Sequence, residues 1–189
     1  MTSKTHEAGG VAGLMIGMLY LGIPKISAIT IIVALVANLV GSLMPDIDQN
    51  QNRLWDMIPG GNTIGKVAKK VFWGHRSLSH SIIGTMLVYF GLKWLLPKLF
   101  NHDFIDTNII LISAMIGFVS HLCLDFLTQE GLPLFFPLKW KFGFPPFKKL
   151  RIRTGRFVEN WVVFPVLLVI SVGLIIYLIV SKYFIQVNA

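Results

Sequence analysis

Long apolar runs alternate with polar loops along this chain of 189 residues. Four of the runs approach the length of about 20 apolar residues that a membrane-spanning helix needs. They cover Ile26–Met44, His80–Phe100, Thr107–Leu127 and Trp161–Val180. The pattern therefore predicts four helices that cross a lipid bilayer, and Ser77 or Ser79 is the expected N-cap of the second.

A fifth apolar run, Val11–Ile23, is shorter and rich in glycine. It is short for a full crossing and reaches about the lower limit of length only together with Ala8–Gly10, so we interpret it as either a tilted helix or a partial insertion. Pro24 and Lys25 end this run. With the fifth run included, the pattern predicts an all-α, polytopic membrane protein with about five membrane-inserted helices.

Composition supports a membrane protein made of a single domain, residues 1–189. Hydrophobic residues make up 54% of the chain and charged residues only 14%, which is too apolar for an ordinary soluble domain. The single cysteine, Cys123, excludes an internal disulfide framework. It lies inside an apolar run, and we interpret it as a packing residue.

Two long polar loops separate the apolar runs. The first, Gln49–Ser79, contains a segment whose alternating lysines and apolar residues predict an amphipathic helix on the membrane surface, Thr63–Trp73. The second, Thr128–Asn160, begins with an apolar stretch that contains two prolines and that we expect to dip into the membrane, Gly131–Pro137. Its continuation, Lys139–Arg156, is strongly basic and aromatic.

Basic residues are distributed unevenly between the two sides of the predicted bundle. With five crossings, the N-terminus and both long loops lie on one side and carry thirteen of the 17 lysines and arginines. Because cytoplasmic loops carry an excess of basic residues, we expect this side to face the cytoplasm and the C-terminus to lie outside. Basic loops in a membrane protein more often bind anionic lipid headgroups than nucleic acid. The net charge of +8 therefore predicts an anionic membrane partner and no nucleic acid.

Seven histidines and aspartates from four different segments fall at the predicted cytoplasmic face. They are His6, Asp46, Asp48, His75, His80, His121 and Asp125. His102 falls on the opposite side. Imidazoles and carboxylates without cysteine suit zinc, manganese or iron. Seven candidate ligands exceed one tetrahedral site, so the pattern favours two divalent ions, with zinc preferred.

The separation of these residues in the sequence predicts which of them lie close together. His121 and Asp125 lie four apart in one predicted helix, so they share a face and could bind one ion. The alternative is a helix-end carboxylate that is hydrogen-bonded to a neighbouring helix. Asp46 and Asp48 point the same way if their segment is extended, although solvated loop ends often carry this pattern. The guanidinium of Arg76 is suited to bind a phosphate with two hydrogen bonds.

Short motifs spread over most of the chain occur in a specific order. They comprise His6, Leu43–Asp48, Gly74–Arg76, Ser79–Ser81, Ser120, His121, Asp125, Thr128, Gly131, Pro133, Pro137, Gly155 and Glu159. In these motifs the chain resembles the YdjM-like family, described as LexA-regulated, membrane-bound, metal-dependent hydrolases. Ser79 stands where relatives often have threonine, which keeps the hydroxyl.

The resemblance implies a metal-dependent hydrolase of the bacterial cytoplasmic membrane, with the seven residues above as metal ligands or their supports. Arg76 would bind the substrate, and Glu159 would orient a ligand or act as a base. A weaker similarity, by analogy of fold, to zinc-dependent phospholipase C and P1-type nucleases implies phosphoester hydrolysis. A site at headgroup level beside a basic, aromatic loop fits a lipid or lipid-linked substrate better than a soluble metabolite.

Two other classes of function stay open. A metal-ion transporter or sensor would place ionisable residues near the middle of the bilayer, whereas these residues cluster at one face. A non-catalytic scaffold would use its metal only to hold helices together, with every coordination position closed.

Overall fold

The structure is a computed structural model of the chain, and it describes residues 1–21, 27–47, 53–56, 78–138 and 140–187. The α-helices in these ranges are α1 Ser3–Leu21, α2 Ala28–Leu43, α3 Arg53–Asp56, α4 Ile82–Leu99, α5 Thr107–Phe126 and α6 Phe164–Val187. A 3-10 turn, Met44–Asp46, follows α2, and a π-helical turn, Glu159–Val163, leads into α6. β-Structure in the described ranges is limited to two isolated bridges, so the predicted all-helical fold is confirmed.

Four of the described segments are long and apolar enough to cross a membrane. They are Ala28–Asp46, Ile82–Leu99, Thr107–Phe126 and Glu159–Ser181, which coincide with the four long runs of the sequence. In the second and fourth segments only 11% of the helix window is buried inside the protein. Such extensive exposed apolar surface is expected of helices that face lipid, so the chain is a helical membrane protein. The surface helix predicted for Thr63–Trp73 lies outside the described residues.

The helix α1 also runs along the bundle, although it is not among those four segments. It begins at Ser3 rather than at Val11, and its 19 residues have a length of about 28 Å. Gly9 packs on Leu124 near the end of α5, whereas Gly17 packs on Ile116 two turns earlier in α5. Therefore α1 runs antiparallel to α5, and five of the described helices extend along the bundle.

The centre of the bundle is a close contact between α2 and α5. A Cβ atom on Gly41 would lie 2.1 Å from the carbonyl oxygen of Ala114, and one on Gly117 would lie 2.1 Å from that of Asn38. Only glycine allows this approach. Asn38 also donates from Nδ2 to the carbonyl of Ser113, at 2.9 Å, across the same contact. The contact brings the end of α2 beside the last turns of α5.

The start of α4 differs from the sequence-based expectation. We predicted Ser77 or Ser79 as its N-cap, but Ser81 is the cap, because its Oγ accepts a hydrogen bond from the Gly84 N–H at 3.1 Å. Ser77 lies outside the described residues, and the prediction for Ser79 is wrong. The helix begins one residue after the cap, so His80 lies before α4 rather than in its first turn.

The second long loop folds over the end of the bundle where α4 begins and α5 ends. The Gln129 N–H donates to the Ile152 carbonyl and the Ile82 N–H donates to the Leu134 carbonyl, both at 3.0 Å. The stretch Gly131–Pro137 consists of turns and one isolated bridge. That this stretch dips into the membrane stays a prediction.

Candidate metal centre

Five of the seven predicted metal ligands meet at this end of the bundle. They are His6 of α1, Asp46 of the turn after α2, His80 before α4, and His121 and Asp125 in the last turns of α5. Four separate segments therefore contribute side chains to one site.

The remaining predicted residues are placed differently. Asp48, His75 and Arg76 lie outside the described residues, so their part in the site stays a prediction. His102 lies at the opposite end of the bundle, where its Nδ1 is 3.4 Å from Oγ1 of Thr107 at the start of α5. This separation agrees with the expectation that His102 does not belong to the site.

The candidate ligand atoms lie close together. His80 Nε2 is 3.5 Å from Asp46 Oδ1 and 3.6 Å from Asp125 Oδ2. His121 Nε2 is 3.8 and 3.7 Å from the same two oxygens, and His6 Nε2 is 3.4 Å from Asp125 Oδ1. Two ligands of a tetrahedral zinc ion lie about 3.4 Å apart when each bond is about 2.1 Å long. The spacing therefore fits side chains arranged around a shared cation.

The site is buried and contains polar atoms in need of a partner. The side chains of His6, His80, His121 and Asp125 are fully buried, and that of Asp46 is 14% exposed. Within the described ranges, both ring nitrogens of His6, Oδ1 of Asp46 and Nε2 of His121 make no hydrogen bond. Burying such atoms unsatisfied is costly. A cation among them would provide the missing partner, so the residues fit a metal ion.

A backbone carbonyl orients His121. Its Nδ1 lies 2.7 Å from the carbonyl oxygen of Ser42, which can only accept, so Nδ1 carries the proton and Nε2 is the nitrogen that can bind a metal. The His6 ring stacks on His121 with centroids 3.5 Å apart and planes inclined by 12°. Two charged rings would repel each other at this distance. The stack therefore favours neutral imidazoles, which are the metal-binding form.

The charge balance of the site favours a cation. Burial lowers the pKa of His6, which keeps this ring neutral. Burial also acts to lower the pKa of His80, but the nearby carboxylates of Asp125 and Asp46 outweigh it, and the pKa of His80 is raised. The amino group of Met1 contacts Asp125 Oδ1. The two carboxylates are thus stabilised by positive charge close to them, and a metal ion at this position would supply such charge.

Glu159 holds the first turn of α1 in place. Its Oε1 accepts hydrogen bonds from the Thr2 N–H at 2.6 Å, the Thr2 hydroxyl at 2.7 Å and the Thr5 hydroxyl at 2.8 Å. Its Oε2 accepts from the Gly155 N–H at 2.7 Å. Because Thr5 immediately precedes His6, these bonds fix where His6 enters the site. They are the contacts expected of a residue that orients a ligand, and a role of Glu159 as a base stays a prediction.

Sequence reasoning missed the groups that position the ligands. Ser42 acts through its backbone carbonyl, which no residue type signals. Thr5 lies in the short polar start of the chain, where residue type gives no sign of burial. Its side chain is nevertheless fully buried. Gly117 stood out only as a small residue within an apolar run, yet it allows the helix contact that places His121 beside Ser42.

The chain is similar to known bacterial proteins. Residues 1–185 match a family model described as YdjM inner membrane protein. The chain is 32% identical over 162 residues to the uncharacterized protein YvsG of Bacillus subtilis (strain 168), which covers 86% of this chain and 87% of that protein. It is 31% identical over 109 residues to the inner membrane protein YdjM of Escherichia coli (strain K12), which covers 54% of this chain and 48% of that protein. No solved structure matches the chain.

Proposed function

Because the chain belongs to the YdjM family of inner membrane proteins, we propose that it is a metal-dependent hydrolase of the bacterial inner membrane. One observation carries the proposal, namely the meeting of three imidazoles and two carboxylates at one end of a helical bundle. The proposed reaction is cleavage of a phosphoester-type bond in an anionic lipid or a lipid-linked substrate.

The ligand set favours a first-row divalent cation. Histidine and aspartate without cysteine suit zinc first, and then manganese or iron. The two oxygens of Asp125 face different histidines, since Oδ1 lies near His6 and Oδ2 near His80. A carboxylate in this position is suited to bridge two ions, which supports the expectation of a pair. Asp48 and His75 would then supply further ligands to the second ion.

A divalent ion at this site would supply an activated water and a positive charge for a phosphoryl oxygen. Groups of the protein would hold the ligands in position and bind the substrate. The carbonyl of Ser42 keeps Nε2 of His121 in a fixed direction, and Glu159 keeps α1 and therefore His6 in place. Arg76 would bind a phosphate through its planar guanidinium group.

Features beside the site support an anionic lipid as substrate. A cavity of about 440 Å³ next to the end of α5 has four basic residues in its lining, Lys149, Arg151, Arg153 and Arg156. Arg151 donates to the carbonyls of Pro145 and Pro146 and thus holds the loop, whereas the other three can attract an anionic headgroup. Exposed aromatic side chains on the same loop and the turn after it, Trp140, Phe147, Phe157 and Trp161, are typical of a membrane–water interface.

The other two classes of function fit the site less well. A transporter needs its ionisable residues near the middle of the bilayer, and the five described ligands lie at or beyond helix ends. A scaffold with a structural metal needs the same ligands as a hydrolase but leaves no position for water. Because only the enzyme would activate a water at its metal, an assay of hydrolysis separates the scaffold from the enzyme.

The test compares metal-free and metal-loaded protein in lipid nanodiscs. Purified protein is stripped with a chelator, reloaded with zinc, manganese or iron, and incubated with phospholipids and with lipid-linked phosphates and diphosphates. We expect mass spectrometry to detect a hydrolysed product only with reloaded protein. If the protein binds metal stoichiometrically and gains thermal stability but hydrolyses none of these lipids, the scaffold is the correct function.

A further inference from the structure

An apolar groove of about 830 Å³ lies between α4 and α5, with a contribution from α1. This volume is within the range of small-molecule sites, about 300–1,000 Å³. Its wall includes Met86, Phe90, Ile112 and Val119, all of which are more than 40% exposed. The groove is thus a concave apolar surface within the part of the chain that crosses the membrane.

Two hydroxyls of the groove wall, those of Thr85 and Ser120, are already bonded within their own helices. Thr85 donates to the carbonyl of Ser81 at 3.0 Å, and Ser120 donates to the carbonyl of Gly117 at 2.8 Å. Neither hydroxyl therefore needs a polar partner from an occupant. The wall suits a hydrocarbon chain and offers little to a polar solute.

The groove begins beside the metal centre. On α5, the groove residue Ser120 is adjacent in sequence to His121, and on the α4 side Thr85 follows His80 by five residues. On α1, Gly13 lines the groove two turns after His6. The same three segments therefore carry ligands near one end and the groove wall further along, which places the groove alongside the buried site.

The length of the groove matches one leaflet of a membrane. On α5 its lining runs from Cys123 back to Leu111, and the twelve helical steps between them span about 18 Å. Half of the hydrocarbon core of a bilayer is about 15 Å thick. A chain that starts at the level of the metal centre would thus reach the middle of the bilayer within the groove.

We propose that this groove holds one hydrocarbon chain of the substrate while the anionic headgroup lies at the metal centre. This inference rests on the proposed function and narrows its substrate to amphiphiles with a phosphate-type headgroup and at least one long chain. The protein would draw such a molecule sideways from the leaflet, with the chain in the groove setting the position of the bond to be cleaved.

Cys123 provides a built-in probe, because it is the only cysteine of the chain, lines the groove and is exposed. The rate of its alkylation by N-ethylmaleimide is measured by mass spectrometry on metal-loaded protein in detergent. We expect hexadecyl phosphate to slow alkylation at least tenfold, and butyl phosphate, which has the same headgroup but a short chain, to have no effect. Equal rates with and without hexadecyl phosphate at saturation would overturn the proposal.

Two variants make the test specific. Val119→Trp fills the groove and should abolish the protection of Cys123 by hexadecyl phosphate without lowering metal content. Its control, Val169→Trp on α6, places the same bulk on a residue that is 73% exposed and outside the groove lining, and should leave protection intact. If Val119→Trp retains full protection, the chain lies elsewhere and the proposal is wrong.

The outcomes separate this inference from the proposed function. Protection of Cys123 without hydrolysis of any lipid would support the groove and contradict the hydrolase. Metal-dependent hydrolysis without protection would support the hydrolase and contradict the groove.

Discussion

Asp125 is the residue on which the candidate metal centre depends most. Its carboxylate faces His6 through one oxygen and both His80 and His121 through the other, at 3.4–3.7 Å. It is fully buried, and its helix brings His121 one turn before it. The other carboxylate of the site, Asp46, lies 3.5 Å from His80 and 3.8 Å from His121.

Alanine at either of these α5 positions should therefore remove the metal. We expect His121→Ala and Asp125→Ala each to lose stoichiometric metal by elemental analysis, together with any hydrolytic activity, while the protein still inserts into the membrane. The physical reason is that each change removes a ligand from a site whose other ligands cannot move to replace it. Even changes to residues that only support ligands commonly cost 10–100-fold in affinity.

The matched control is His102→Ala, which removes the same side chain at the opposite end of the bundle. Its metal content and activity should equal those of the unchanged protein. The centre is not where we place it if His102→Ala abolishes metal binding, or if both α5 variants keep full occupancy.

Glu159 can be tested for its role as a positioning residue. Glu159→Gln keeps the size of the side chain but replaces a carboxylate oxygen by an amide nitrogen, which cannot accept. The carboxylate oxygens accept hydrogen bonds from Thr2, Thr5 and Gly155. If Glu159 acts through α1 and His6, metal affinity measured by competition with a chelator should fall about 10–100-fold. Thr5→Val should lower affinity in the same direction, and Thr5→Ser, which keeps the hydroxyl, should not.

A catalytic base would behave differently. In that case Glu159→Gln would leave metal affinity unchanged and lower the turnover number alone. Such a result would contradict the positioning role.

Among the helices, the contact between α2 and α5 determines the geometry of the site. Gly41 and Gly117 allow a backbone-to-backbone approach that brings the last turns of α5 beside the carbonyl of Ser42. The ligands at the ends of these two helices, Asp46 and His121, therefore depend on residues within the apolar runs.

Gly117→Ala should disturb both packing and metal binding. The added methyl group would lie 2.1 Å from the carbonyl oxygen of Asn38, so one helix must shift. Overpacking of this kind typically destabilises a protein by about 1–3 kcal/mol. We expect a lower melting temperature and weaker metal binding, the latter because the bond between His121 and Ser42 lengthens.

The control is Gly91→Ala on α4, where the added methyl group meets no atom within 4 Å in the described structure. It should leave stability and metal content unchanged, or raise stability slightly because alanine favours helix. Equal effects of the two substitutions would show that close packing at Gly117 does not matter.

The sequence predicted four of the long helices closely, because runs of about 20 apolar residues leave few other structures in a membrane. It misjudged the start of α1, since the residues that begin this helix are polar. Thr5 and His6 are helical and buried because they pack inside the bundle, and single-residue polarity carries no information about such contacts. His80 was placed within a helix for a related reason, as several serines could have capped α4.

The candidate site was more predictable than its supports. Histidine and aspartate at segment ends identified five residues that the structure brings together, because the topology returns those ends to one face of the bundle. The supports, such as the carbonyl of Ser42, depend on exact helix–helix packing, which a sequence pattern does not specify.

At the scale of the whole molecule, the fold predicts opposite locations for the chain ends. Thr2 and Glu159 meet at the metal-centre end, and α6 runs from there towards Val187. With basic loops on the cytoplasmic side, we expect a C-terminal alkaline phosphatase fusion to be active. A fusion after Leu138, in the second long loop, should be inactive. An active reporter at Leu138 and an inactive one at the C-terminus would show that the orientation is reversed.

The hydrogen bond between Thr2 and Glu159 joins residues 157 positions apart in the sequence. His6 and Asp125, which are in contact, are also far apart in the sequence. A ribosome that delivers helices to the membrane in order releases His6 long before its partners exist. The first turn of α1 therefore lacks its hydrogen bonds to Glu159 until the start of the last membrane segment has been synthesised. A chain that stalls before Glu159 would contain all five described candidate ligands but would lack the hydrogen bonds that hold its first histidine in place.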